Sequence, residues 1–349
     1  MTKDCRQRVP SVPLLRGGVS RRALIGALAS AFLSQPVKRA SAATGALVFE
    51  HAYGISTLDR PAGRVVSLGY TTQDPLLALG VVPLAVRQWF GSFPYGVWPW
   101  AQPHLGDAKP QLLIGEVSME RVAALNPDLI VAIGSGISKA EYRVLSHIAP
   151  VLMHEADDAD YGTPWDKTTR VIGRATGKTG EAASLVSTVR KQFADARERH
   201  PYWKGKTAVA GFHWRSQTGA FTGADTRAAF LAELGFRPTD RVAELSGAEE
   251  FYANLSPEDL SPLDADVLVW ISSFDEAPDL VTLPMRKTLN AHHEGREVFA
   301  GALLAAAMSF GSVLSLPFVL EQLETDIAAA ADGRTDTIVL SAQKAGLLP

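Results

Sequence analysis

Aromatic rings and arginines, not a catalytic set, are the side chains of this sequence that cluster in a way suggestive of ligand recognition. From Arg87 to Trp100 the chain reads Arg87-Gln-Trp89-Phe90-Gly-Ser-Phe93-Pro-Tyr95-Gly-Val-Trp98-Pro-Trp100, which holds three of its seven tryptophans. Pro94 and Pro99 remove backbone donors and Gly91 and Gly96 loosen the chain, so the stretch predicts a loop and no regular helix. Trp89, Phe93, Tyr95, Trp98 and Trp100 would present flat, rigid faces to a bulky ligand. His213-Trp214-Arg215 stands in the matching place after the first strand of the second half. An arginine fork suits anionic oxygens, and Arg87 and Arg215, at corresponding strand ends, are candidates to meet across a cleft. Aromatic loops of this density usually serve a pocket. Trp165, Trp203 and Trp270 read as packing residues.

Other candidates follow from strand ends, where parallel sheets open their clefts. Tyr70 and Thr71 follow the first strand, Phe274 follows the strand that contains Trp270, and Ser135 and Gly136 follow the strand ending near Ile133, where their backbone could donate. Eight histidines include the adjacent His292-His293, but neighbours in sequence do not share a helical face, so no protein-bound metal is expected. No G-x-S-x-G elbow, G-x-G-x-x-G turn or phosphate loop is present, and Gly134-Ser135-Gly136 lacks the elbow's spacing. An enzyme is therefore not expected; a secreted α/β enzyme with scattered catalytic residues is the alternative from a different class. Cys5 is the one cysteine, which leaves no partner for a disulfide and no thiolate metal site.

An internal repeat supplies the strands and helices around these groups. Ser118-Met-Glu120-Arg-Val-Ala-Ala-Leu125-Asn-Pro-Asp128-Leu-Ile-Val131 aligns without gaps on Ser256-Pro-Glu258-Asp-Leu-Ser-Pro-Leu263-Asp-Ala-Asp266-Val-Leu-Val269. Each copy reads as a capped short helix, then an aspartate opening an apolar run suited to a buried parallel strand. Leu76-Leu-Ala-Leu79-Gly80-Val-Val-Pro83 matches Leu231-Ala-Glu-Leu234-Gly235-Phe-Arg-Pro238 in the same order, each a helix closed by glycine. At 349 residues two cores are the better expectation than one. The predicted architecture is α/β: two lobes, each a parallel sheet flanked by helices, at 47–163 and 205–349. Between them, 164–200 forms a helical connector, with Thr163 capping a first helix that has Pro164 at its first position. Its long helix runs from near Thr179 to Arg199, about 31 Å at 1.5 Å per residue.

Residues 1–42 read as a cleaved export signal. Arginines precede Ser20-Arg21-Arg22-Ala23-Leu24, a short apolar run to Leu33 follows, and Ala40-Ser41-Ala42 supplies small residues for a peptidase. The paired arginines suggest the twin-arginine (Tat) route, and the run is too short to span a bilayer. Beyond residue 42 the chain holds 26 basic and 36 acidic residues, a net charge of −10. That balance excludes nucleic acid as a partner, since phosphate binding rests on a basic surface.

Taken together, two α/β lobes, one long connecting helix and the export signal resemble the class III periplasmic solute-binding proteins of ABC importers, which carry iron siderophores, ferric citrate, hemin or vitamin B12. Ser118 to Val131 is similar to that family's phrase before a buried strand, and Ser146-His-Ile-Ala-Pro-Val151 and Phe310-Gly-Ser-Val-Leu-Ser-Leu-Pro-Phe-Val-Leu-Glu-Gln-Leu323 are similar to its later segments. The resemblance implies a ligand held between lobes with limited closure, no cofactor, and a soluble monomer outside the cytoplasmic membrane. It implies a ferric siderophore, whose catecholate or hydroxamate arms the loop rings and arginines would suit, as cargo for an ABC importer permease in that membrane. Hemin or a corrinoid is the alternative within the class; for hemin, Tyr70, Tyr95 or His213 would be the iron ligands. Glu120 and Glu258, one per lobe, match the positions that dock onto permease arginines.

Overall fold

The computed structural model describes residues 45–245 and 250–349; the expected export signal at 1–42 lies outside the described residues. A hairpin of β1 (Leu47–His51) and β2 (Gly54–Leu58) precedes the first sheet. That sheet is built from β3 (Val65–Ser67), β4 (Ala85–Arg87), β5 (Gln111–Leu113), β6 (Leu129–Val131) and β7 (Val151–Leu152). Its spatial order is β5-β4-β3-β6-β7, and every neighbouring pair is parallel. The second sheet comprises β8 (Ala208–Trp214), β9 (Gln217–Phe221), β10 (Tyr252–Asn254), β11 (Val267–Ile271) and β12 (Glu297–Ala300), ordered β10-β9-β8-β11-β12.

The second sheet corrects the expectation of two parallel sheets. β8, β11 and β12 are parallel, but β9 runs antiparallel to both its neighbours. Trp214 pairs with Gln217, and the two residues between them, Arg215 and Ser216, have φ of 50° and 66°. Two successive left-handed residues make the turn that matches strand twist. Arg-Ser carries none of the Asn-Gly or Asp-Gly signature of such a turn, so a strand end read as a loop is in fact a hairpin.

The repeated aspartates have a structural reason. Asp128 accepts from the backbone N–H of Gly63 (3.1 Å) and Arg64 (2.7 Å), just before β3. Asp266 accepts from the backbone N–H of Thr207 at 2.7 Å and its hydroxyl at 2.9 Å, just before β8. Val65 pairs with Leu129 and Ala208 with Val267, so each carboxylate ties the first strand of its sheet to the strand that it opens itself. Hydrogen bonds to a charged acceptor are worth more than neutral ones. Asp266→Ala is expected to destabilise by about 1–2 kcal/mol in urea unfolding; no loss would show that the ladder alone holds this junction.

The helical part of the repeat is not conserved in form. Ser118 caps the helix Met119–Ala124, accepting from the Arg121 N–H at 3.3 Å. The expected second helix is instead a turn followed by a single 3-10 turn, Ser261–Leu263. Pro262 lacks a donor, and the Asp259 carboxylate takes the Ser261 N–H at 3.0 Å, which gives the backbone a local alternative to a helix. The connector holds Trp165–Ala175 and Thr179–Arg199. The first helix begins one residue later than expected: Pro164 is its N-cap, and the Thr163 hydroxyl donates to Asp158 Oδ2 at 3.1 Å instead.

Apolar residues divide between the sheets. Val65, Leu76, Leu129, Ile172 and Ala182 pack on one face of the first sheet, and Val66, Ile130, Leu145 and Val151 on the other. The second core holds β8, β11 and β12 against the helices Ala302–Phe310 and Ser315–Ala331. The long connecting helix serves both cores, Ala182 in the first and Val189, Phe193 and Ala196 in the second. Val97, Trp98, Trp100 and Leu105, from the first half of the sequence, also belong to the second core. Among the described residues no helix is long and apolar enough to cross a membrane.

Candidate functional site

A cleft of about 240 Å³ lies where the carboxyl end of the first sheet faces the helices of the second. Tyr70, Thr71 and Trp89 enter it from the first sheet's loops, Trp165 and Thr169 from the connector, and Arg227 and Phe310 from the second half. Two rings stack with Tyr70, Trp89 at 5.6 Å and 24° and Tyr161 at 6.3 Å and 14°. The Arg87 guanidinium carbon sits 4.6 Å from the Tyr70 ring centroid, and Nη1 donates to the Ser135 carbonyl at 2.8 Å. Such cation–π contact orients both groups. Trp89 continues the wall to Phe310 at 5.7 Å.

Tyr161 divides this cleft from a second hollow of about 490 Å³, which shares Tyr161, Thr163, Trp165, Thr226 and Gly311 with it. Its φ is 66°, unusual for a bulky residue. Its hydroxyl lies over Gly136, where a Cβ would collide with it. Burial pushes the Tyr161 hydroxyl above its ordinary pKa, with Tyr70 and Asp160 adding to the shift.

On the opposite wall, Asp225 caps the helix Thr226–Glu233, accepting from the Arg227 N–H at 2.8 Å. The same carboxylate takes Arg227 Nη1 at 2.7 Å. Arg227 Nε and Nη2 donate to Ser309 Oγ at 3.1 and 2.6 Å, and its guanidinium carbon lies 4.1 Å from the Phe221 ring centroid. Burial holds the Asp225 carboxyl above the usual range, against the pull of Arg227. This arginine is locked in place by three partners, which is how a recognition group is kept pre-organised.

Behind the cleft the two halves are joined by a buried carboxylate. Asp74 Oδ2 accepts from Trp100 Nε1 at 2.8 Å and from Ser312 Oγ at 2.5 Å, while Oδ1 is buried without a hydrogen-bond partner. Burial pushes its pKa up to about 6, against the two hydrogen bonds. An acid with a raised folded pKa binds protons more tightly folded than unfolded. Stability therefore falls as pH rises from about 4 to about 6, and the penalty of about 3 kcal/mol is fully present above that. Asp74→Asn keeps an acceptor for both donors and discards the charge. It is expected to gain about 1–3 kcal/mol at pH 7.5 and to flatten the pH dependence between 4 and 6, read by thermal melts. An unchanged slope would remove Asp74 as its source.

The structure brings Tyr70, Thr71 and Trp89 to the cleft and places Arg87 and Ser135 immediately behind Tyr70. Gly134 lines it, while neighbouring Gly136 supports Tyr161. The other loop aromatics are corrected. Trp98 and Trp100 stack on each other at 5.1 Å and are buried against Phe310, at 5.7 and 5.2 Å. Phe93 packs on Trp98 at 4.6 Å, and Tyr95, with φ of 59°, packs on the same core. These rings join the halves by burying apolar surface from the first half in the second core.

On the second half, His213 lies within β8, its ring bonded to Thr218 Oγ1 at 2.8 Å, and Trp214 is exposed at the hairpin end. Arg215 caps that ring, 4.3 Å from its centroid. None of the three lines the cleft, so Arg215 does not meet Arg87 there, because the hairpin carries it away. Phe274 is exposed and also off the cleft. Trp165, read as packing, packs partly buried against the second core and also lines the wall, whereas Trp203 and Trp270 are fully buried. Tyr161, Asp225, Arg227 and Phe310 were missed. Asp225 before an apolar helical run was a legible N-cap, but nothing local pointed Arg227 at a cleft. Among the described residues no group of three His, Cys, Asp or Glu is arranged to hold a metal.

The model of the family described as "Periplasmic binding protein" matches residues 65–301. The Fe(3+) dicitrate-binding periplasmic protein FecB of Escherichia coli is 28% identical over 211 residues, covering 57% of this chain and 67% of the relative. The ferric enterobactin-binding periplasmic protein FepB of Escherichia coli is 31% identical over 153 residues, 42% of this chain and 47% of the relative. The crystal structure of a periplasmic solute binding protein from Mycobacterium smegmatis superposes with a TM-score of 0.72 at 35% identity, covering 82% of this chain and 99% of that one. PiaA of Streptococcus pneumoniae in complex with ferrichrome superposes at 0.69 with 24% identity over 82% and 99% of the two chains, a likeness of fold.

Proposed function

Since the chain belongs to the periplasmic binding protein family, we propose that it captures a ferric siderophore outside the cytoplasmic membrane and delivers it to an ABC importer. The observation that carries the reading is the cleft: stacked Trp89, Tyr70 and Tyr161 face a locked Arg227 across a gap between two halves joined by one long helix. Aromatic walls with a few fixed donors hold a bulky chelate by area and orient its oxygens. The proposed contacts narrow to Tyr70, Thr71 and Trp89 with Trp165, Arg227 and Phe310. The lobes assigned are 47–163 and 205–349, with 164–200 between them, and residues 1–42 are the proposed Tat signal of a soluble, monomeric periplasmic protein without catalytic function.

Glu120 and Glu258 are both exposed, one in the first turn of the helix Met119–Ala124 and the other in a turn before β11. We assign them to docking on the permease, as two negative points that a basic surface can read.

Tryptophan fluorescence tests the ligand directly, because Trp89 and Trp165 stand in the cleft wall. Saturable quenching of the purified protein by a ferric siderophore is the expected result. Quenching by hemin alone, with a Soret shift, would replace the cargo; turnover of an added compound would replace the class.

A further inference from the structure

The charge of the cleft selects among ferric chelates. Among the described residues that line it, Asp225 and Arg227 are the charged ones, and they are paired with each other at 2.7 Å. The rest of the lining is uncharged: rings, a few small or apolar residues such as Gly134 and Val313, and threonine and serine hydroxyls, Thr71, Thr169 and Ser309 among them. Arg87, behind Tyr70, has no carboxylate within ion-pair distance among the described residues, and its Nε is buried without a hydrogen-bond partner. Asp74, bonded to Ser312 of the lining, sets a fully buried carboxyl on the same side of the balance against it.

A guanidinium has five N–H donors. Arg227 uses one at Asp225 and two at Ser309, which leaves two for ligand oxygens while its charge is already matched. It can orient a ligand without demanding an anion. Three hydroxamates each bring one negative charge to Fe(III) and leave a neutral complex. Three catecholates each bring two and leave a trianion, and ferric citrate complexes are also anionic. Bringing a trianion into this cleft would strip its hydration against walls with at most one uncompensated cation, an expensive exchange.

Resting on the reading of the chain as a ferric siderophore receptor, we infer that its ligand class is neutral or near-neutral ferric chelates of the hydroxamate type, selected by an arginine whose charge Asp225 cancels. The preference separates it from relatives whose names carry enterobactin and dicitrate.

The test is a fluorescence titration of the purified protein and of Asp225→Asn with ferrichrome, a neutral tris-hydroxamate, ferric enterobactin, a trianionic tris-catecholate, and ferric dicitrate. Asparagine can still cap the helix. The expected result is that ferrichrome binds at least about tenfold more tightly than either anion, and that Asp225→Asn narrows this ratio by about tenfold by exposing Arg227's charge. Should that variant not fold, Arg227→Gln provides the opposite sign, with the ratio widening because Asp225 is left unmatched. Equal or tighter binding of an anionic chelate by the unaltered protein would overturn the inference and leave the siderophore reading standing. Failure of every ferric chelate to bind would remove that reading, and the inference with it.

Discussion

Glu297→Leu is expected to lose about 3–5 kcal/mol of stability. Glu297 lies at the start of β12 and is buried with Arg286, His292 and Trp270. It accepts from Arg286 Nη1 at 2.6 Å and from Trp270 Nε1 at 2.7 Å, and contacts His292 Nδ1 at 2.9 Å. Arg286 is also held by carbonyls, with Nε on Leu280 at 3.0 Å and Nη1 on Leu347 at 3.1 Å, and its Nη1 lies 3.1 Å from His292 Nδ1. Deleting the carboxylate strands a guanidinium that is 1% exposed, and an uncompensated buried charge costs far more than the pair contributes. The paired change Arg286→Met with Glu297→Leu is therefore expected to recover most of the loss, leaving chiefly the orphaned indole N–H at about 1 kcal/mol. Urea unfolding of the two single variants and the double one measures the coupling. A single-variant loss below about 1 kcal/mol would show that the network is hydrated instead of dry. This also gives His292 of the His292-His293 pair a structural role, in the network around Glu297.

The second large effect is on transport. Reversing both Glu120 and Glu258 to arginine is expected to abolish siderophore-dependent growth and uptake while leaving ligand affinity within about twofold, since neither residue lines the cleft and charge reversal at a docking surface acts by repulsion. Each single reversal is expected to give a partial defect, because one point of contact remains. Glu120 is exposed and accepts from Ser118 Oγ of its own turn at 3.1 Å, so its change should cost little stability. Parallel uptake and titration measurements separate the outcomes. Weakened ligand binding would place the residues in the site, and unaltered uptake would remove them from docking.

Much of the architecture was legible because it is local. A gap-free match between Asp128 and Asp266 and their following apolar runs requires only neighbouring residues, and both aspartates hold corresponding strand junctions. The connecting helix was legible for the same reason, from a 3.6-residue apolar period between a threonine and a proline. The aromatic loop shows the boundary of that method. Composition identified rings that needed covering, but Trp89 stays exposed at the cleft while Trp98 and Trp100 are buried against Phe310 and Phe318. Those partners are more than two hundred positions away, and no spacing within the loop distinguishes the two fates.

Periodicity, caps and backbone chemistry within short windows were enough to read the α/β class, the repeated strand junctions, the helical connector and the presence of an aromatic, arginine-bearing loop. Which groups share a site follows from packing between distant elements. Arg227 reaches the cleft because Ser309, 82 residues on, and the Asp225 cap fix its guanidinium. Arg215 is absent from it because two left-handed residues turn β8 back on itself. Site membership rests on where separate elements pack, and packing is a sum over distant surfaces that no local pattern encodes.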